Sequence, residues 1–184
     1  HKFYGVEPDI AIYGKSLGNG HPISAIVGKS QIMKLANSSF ISSTFWSERV
    51  GFVAALSTLE IMEKEKSWNY ITKLGLKIRS KWEELAKKNL IKINISGIPA
   101  ISSFSFDQNN DLYKTLITQE MFKGGYIANN SVYVSTAHNQ KILKNYYKII
   151  DYCFSLIKKH ELKKIDIKKM LKSKTSLNTF KRLN

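Results

Sequence analysis

The chain has 184 residues, 43% of them hydrophobic, and a formal net charge of +15 at pH 7. That is enough apolar content to bury about 70% of the unfolded surface in one core, which excludes a natively disordered chain, and no apolar run approaches the roughly 20 residues of a membrane span, so neither a transmembrane helix nor a secretory leader is expected. A single cysteine, Cys153, excludes an internal disulfide and fits a reducing cytoplasm, where we expect the protein to act.

In chain order, Ile10 to Tyr13 reads as a buried strand end, Gly18, Asn19 and Gly20 as a sharp reversal, and Ile23 to Val27 as a second apolar run. Between them lies Lys15, at a strand end facing a loop, where a lysine set among apolar residues and glycines can be partly desolvated and its amine made nucleophilic. Gly14-Lys15-Ser16 is no phosphate loop, because Asp9 stands where that motif needs its first glycine. A dinucleotide fingerprint beginning at Gly18 fails at Ile23. Two readings of Lys15 stay open: a Schiff-base lysine, or a solvated lysine beside a glycine turn.

Lys29 to Ala36 predicts a short helix, and Phe40 to Trp46 a loop leading to Ser47 as N-cap. From Glu48 to Lys66 the apolar residues cover nearly the whole circumference of a helix, which predicts deep burial. Ser67 can cap a helix to Leu90 with Trp68, Ile71, Leu74, Ile78, Trp82 and Leu85 on one face. Ile91 to Ile95 and Ile101 to Phe106 alternate as two strands around a Gly97 to Pro99 turn. A helix from Asn109 or so to Phe122 is broken by Gly124 and Gly125; short strands follow at Tyr126 to Ala128 and Ser131 to Ser135, then a helix from Asn139 to Lys159 with Cys153 on its apolar stripe. The order describes a small α+β domain.

From Lys158 onward the chain holds ten Lys or Arg against Glu161 and Asp166, a net +8 of the total +15. Clustered lysines can bind nucleic acid, but aromatic residues are almost absent there and no nucleic-acid motif appears, so a solvated or partly helical tail that steers anions is the preferred reading. The four histidines lack ligand spacing, and no metal is expected.

The stretch PDIAIYGKSLGNGHPISAIVG, Pro8 to Gly28, resembles the lysine segment of class III (fold type I) pyridoxal-phosphate aminotransferases, and SSTFWSERVGFVAALSTLE, from Ser42, resembles that family's threonine loop and following helix. The version here is most similar to the glutamate-1-semialdehyde aminotransferase branch and its relatives in sugar and polysaccharide pathways, and the similarity extends to about His160. The resemblance implies an α/β fold: the C-terminal part of a fold type I transferase, with residues 1–66 the remainder of the cofactor-binding large domain, 67–160 a small α+β domain and 161–184 a basic tail. It implies a longer enzyme whose first half, carrying other cofactor contacts, lies outside this sequence, so that the chain alone would be inactive.

By the same resemblance, Lys15 holds pyridoxal 5'-phosphate and serves as general base. Ser43 and Thr44 would bind its phosphate, Thr44 across the interface of a homodimer. The implied activity is amino-group transfer between a small-molecule amino donor and an aldehyde or keto acceptor. The alternatives are a glutamate-1-semialdehyde 2,1-aminomutase or a non-catalytic dimerisation or binding remnant of the fold. Many members clamp an α-carboxylate with an arginine near the last strand, whereas Val132 to Gln140 contains none. His138 could border the site, although a lone histidine at a strand end is more often a structural hydrogen-bonder.

Overall fold

The computed structural model describes residues 1–176 and divides at Ser67 into two compact units. In the first, β1 (Ile10–Tyr13) pairs antiparallel with β2 (Ala25–Gly28), Ile10 opposite Gly28 and Tyr13 opposite Ala25. The long excursion between them carries Lys15. A short helix, α1 (Ser30–Met33), tightens into a 3-10 turn over Lys34–Ser38, and α2 (Arg49–Glu65) follows. The Asp9–Lys29 ion pair at the foot of the hairpin is exposed on both sides and contributes little.

The expected deep burial of α2 is not met within this unit. Before Ser67 only Gly18, Gly51 and Ala55 are buried, while Val50, Phe52, Val53, Leu56, Leu59 and Ile61 of α2 all face outward. The apolar circumference was read correctly, but the described residues supply nothing to cover it. Ser47 is not the cap. Glu48 is, accepting from the amides of Val50 (2.9 Å) and Gly51 (3.3 Å) with its two carboxylate oxygens, so one side chain satisfies two of the helix's orphan donors.

The second unit begins at Trp68 and is built around a real core. Its antiparallel sheet has the order β3 (Asn94–Ile98), β4 (Ile101–Ser105), β5 (Ser131–Tyr133), and α3 (Ser67–Lys88), α4 (Asn110–Lys123) and α5 (Gln140–Glu161) contribute the remaining core residues. Leu74, Ile78, Trp82 and Leu85 recur at helical spacing along α3, and Leu143, Tyr146, Ile150, Cys153 and Ile157 along α5; all are buried. Phe104 of β4 sits among them, its ring 4.8 Å from Trp82 and 5.6 Å from Phe154, edge to face. The indole N–H of Trp82 donates to the Tyr146 hydroxyl at 3.0 Å, so the core's largest side chain buries no unpaired polar atom.

The β3–β4 hairpin turns at Pro99 and Ala100, with Ile98 opposite Ile101 and Gly97 in the left-handed region at φ 84°. The paired strand therefore starts at Asn94 rather than at Ile91, as periodicity had suggested. Arg79 of α3 pins this turn, donating to the Ser102 hydroxyl (2.7 Å) and to the carbonyls of Ser96 and Gly97. Gly75 lies one turn earlier, where an added Cβ would stand 1.9 Å from the Pro99 carbonyl oxygen. Gly75→Ala must push α3 off the hairpin, and we expect it to cost about 1–3 kcal/mol in chemical denaturation, as overpacking does.

No strand forms at Tyr126 to Ala128. After the Gly124–Gly125 turn the Tyr126 amide bonds back to the Met121 carbonyl (2.8 Å) and its hydroxyl donates to the Ile142 carbonyl (2.9 Å), which diverts the backbone from the sheet. The basic segment after α5 is partly helical, one of the two forms expected of it, and is packed rather than fully solvated. Ile167, in a 3-10 turn over Ile167–Met170, is fully buried, and the Gln119 side-chain amide of α4 grips the strap twice, donating to the Met170 carbonyl and accepting from the Lys172 amide. The last expected residues of the tail, 177–184, lie outside the described residues.

Burial raises the Cys153 thiol from 9.0 to about 12, with Glu120 adding to the shift and Lys123 opposing it, and burial likewise raises Tyr147 to about 12 and Tyr146 further. The sign follows from linkage: above pH 9.0 the unfolded thiol ionises while the folded one keeps its proton. Stability is therefore full below that value and falls as pH rises toward 12. Unfolding free energies from urea titrations at neutral to strongly alkaline pH should decline by up to about 1.4 kcal/mol per pH unit for each such group once pH passes its unfolded-state value, and Cys153→Ala should flatten the slope.

Candidate functional site

Lys15 is the second residue after β1. Gly14 leaves the strand extended (φ −159°, ψ −157°), and Lys15 opens a 3-10 turn over Lys15–Leu17 with its own backbone left-handed at φ 49°. A lysine gains nothing sterically from that conformation, which costs of order 1 kcal/mol or more for a residue with a Cβ. The loop enforces it through a chain of short-range bonds: Leu17 N–H to Gly14 O, Gly18 N–H to Lys15 O, Asn19 N–H to Ser16 O and His21 N–H to Gly18 O. Gly18 is required here, because a Cβ would lie 2.1 Å from the His21 carbonyl oxygen.

The outcome is a cavity of about 730 Å³ lined by Gly14, Lys15, Ser24, Ser43, Trp46 and Glu48, with Phe45, Phe52 and the Pro22–Ile23 edge completing the wall. Gly51 lets α2 approach that edge: a Cβ would come within 3.0 Å of the Pro22 carbonyl oxygen. Lys15 is exposed in this cavity, so the expected desolvation of its amine is not supplied by the described residues. Ser43 is brought to the same wall, its Oγ accepting from the Phe45 amide at 3.4 Å and its carbonyl accepting from Trp46 at 3.3 Å, which leaves the hydroxyl hydrogen free to be donated. Thr44 is exposed and does not line this cavity.

Sequence reasoning missed Glu48 and Ser24. For Glu48 a signal existed, an acidic residue immediately before a long apolar helix, but Ser47 drew the cap assignment. Ser24 is placed only by the hairpin register, which sets Tyr13 opposite Ala25 and so puts Ser24 beside Gly14. His138 belongs to the second unit. Its Nδ1 accepts from the Ser135 amide (2.9 Å), which identifies a structural hydrogen-bonder, and its carbonyl accepts from the Tyr70 hydroxyl (2.8 Å).

A left-handed lysine at a strand end thus shares one cavity with a hydroxyl-bearing loop and the N-terminus of α2. The chain belongs to the class-III aminotransferase family, whose profile matches residues 1–150. A 3-aminobutyryl-CoA aminotransferase of Cloacimonas acidaminovorans (strain Evry) is 35% identical over 120 residues, 64% of this chain and 29% of that protein. A glutamate-1-semialdehyde 2,1-aminomutase of Bdellovibrio bacteriovorus is 25% identical over 166 residues, covering 79% and 39%. Among solved structures, the PLP form of the FumI protein of Sphingopyxis sp. MTA144 superimposes with a TM-score of 0.78 at 22% identity, over 92% of this chain and 41% of that one.

The fold is thus the corresponding part of fold type I, with mixed helix and sheet, and the chain spans between 29 and 41% of the length of these relatives. Among the described residues no helix is long and apolar enough to cross a membrane.

Proposed function

We propose that this chain contributes the cofactor lysine and part of the phosphate site of a pyridoxal-phosphate-dependent aminotransferase. The observation that carries the reading is Lys15, held left-handed at the end of β1 on the wall of a cavity it shares with Ser43. The donor set fits the cofactor: a primary amine for its aldehyde, hydroxyls for its phosphate, and a volume within the usual range for small-ligand sites. When bound, pyridoxal phosphate supplies the electron sink that makes a substrate C–H acidic.

The chain's own residues do the rest. Lys15 Nζ would hold the cofactor, and the same amine, when free, would take and return the proton of the substrate carbon. The Ser43 hydroxyl donates to a phosphate oxygen. Thr44, exposed and outside the lining of the Lys15 cavity, would do so for a second subunit in a homodimer. The preferred reaction is amino transfer from a small donor to an aldehyde or keto acceptor. Residues 1–66 then form the remainder of the large domain and 67–160 the small one.

Borohydride reduction of the protein with pyridoxal phosphate, followed by peptide mass spectrometry, tests the assignment. The label is expected on Lys15; label spread over the surface lysines would overturn it.

A further inference from the structure

The strap that follows α5 carries Lys163, Lys164, Lys168, Lys169, Lys172 and Lys174, all exposed, and among the described residues none of them has an ion-pair partner. The only acids between Lys158 and Ser176 are engaged elsewhere. Glu161 pairs with Lys158 at 3.2 Å, and Asp166 accepts from the Lys168 amide at 3.0 Å, capping the 3-10 turn. These lysines are held in place rather than trailing in solvent. Ile167 is buried, Ile165 and Leu171 pack against the core, Gln119 holds the backbone at Met170 and Lys172, and the Ser176 amide donates to Thr115 Oγ1 at 3.0 Å. With those apolar side chains turned to the core, the lysines stand on the strap's outer side. Two apolar side chains remain outside with them: Leu162 is 53% exposed and Met170 36%.

We propose that this outer face docks on an anionic phospholipid bilayer. Acidic headgroups attract clustered lysines within a Debye length of the surface, and apolar side chains set among the lysines reach the acyl boundary. A nucleic acid would accept the same charge but would leave Leu162 and Met170 unused. From Lys158 to Ser176 there is also no arginine, phenylalanine, tyrosine or tryptophan to read or stack on a base. The proposal does not depend on the reading of Lys15, because the strap belongs to the second unit and follows residue 150, where the family match ends.

The test is co-sedimentation of the full chain with vesicles of phosphatidylcholine alone and with vesicles that are roughly one-third phosphatidylserine. The exposed apolar residues before Ser67 favour both kinds of vesicle, so the difference between the two isolates the contribution of charge. Partition into the anionic vesicles is expected to exceed that into the neutral ones by at least about 10²-fold at about 0.1 M salt, and to fall to the neutral level near about 0.5 M. Replacing Lys168, Lys169 and Lys172 together by Gln should weaken it by roughly 10²-fold, about fivefold for each lysine. The same loss of charge at the exposed Lys73, Lys77 and Lys87 of α3 should leave most of it. Leu162→Ser with Met170→Ser should weaken it by roughly tenfold. Far-UV circular dichroism should stay unchanged in all three variants, whose replaced side chains are exposed. Equal partition into both vesicles, an α3 variant as damaged as the strap variant, or an apolar double variant that binds like the parent would overturn the proposal. Duplex DNA that strips the protein from anionic vesicles at equal phosphate would overturn it too, and would assign the lysines to a nucleic acid.

Discussion

A polypeptide of residues 67–184 is expected to fold by itself, with a cooperative thermal transition, whereas residues 1–67 alone are expected to give none. The second unit has a contiguous core in which Trp82, Phe104, Phe154, Ile78, Leu116 and Ile150 are all essentially inaccessible to solvent. Its side-chain polar atoms, where buried, are paired. A domain of this size so organised ordinarily holds about 5–15 kcal/mol of stability. In the first unit only Gly18, Gly51 and Ala55 are buried before Ser67, and two of those are glycines with no side chain to contribute. A two-stranded sheet with both edges open and an α2 whose apolar residues face outward lacks the burial needed to offset the entropy of ordering its chain. Circular dichroism and differential scanning calorimetry of the two pieces would decide the matter; a cooperative transition in residues 1–67 would show that the exposed faces are self-sufficient.

Replacing Lys15 separates chemistry from strain. Lys15→Ala removes the amine and keeps the Cβ, so cofactor fixation by borohydride should disappear from this position, and turnover by the assembled enzyme should fall by at least about 10²–10⁴-fold, the share that positioned proton transfer usually provides. Lys15→Gly should lose fixation to the same extent yet raise the stability of the surrounding loop by about 1 kcal/mol, because glycine adopts φ 49° without a steric penalty. A stabilised but inert Gly variant beside an inert, unstabilised Ala variant is the signature of a lysine kept in a strained backbone for its amine. If both variants bound cofactor covalently as well as the parent, another lysine would be the anchor.

The helices of the second unit were legible in the sequence because their burial is local to the chain. Leu74, Ile78, Trp82 and Leu85 repeat with the helical period, and the structure buries all four. The place of Lys15, just after a strand and before a glycine turn, was legible from its flanking residues, but that pattern left its role open. What failed has physical causes. Periodicity shows that α2 is apolar all round but cannot show whether neighbours cover it. The Tyr126 strand lost to a helix C-terminal bond at Met121 that alternation does not encode. Glu48 was hidden behind Ser47, since cap preference ranks short side chains first and takes no account of a longer carboxylate that reaches two amides. Thr44 and Ser43 are adjacent in sequence yet only Ser43 reaches the Lys15 cavity, a difference set by loop geometry.

The strap gripped by Gln119 lies past residue 150, where the family match ends. It is dense in lysines, including Lys163, Lys164, Lys168, Lys169 and Lys172, and would be cut quickly by trypsin if it hung free. With Ile167 seated in the core, those peptide bonds become a gauge of local opening. The rate at which trypsin nicks the segment reports how often the strap lifts from α4 and α5, and Gln119→Ala, by removing both of its amide anchors, should turn a slow clip into a fast one while leaving the sheet intact.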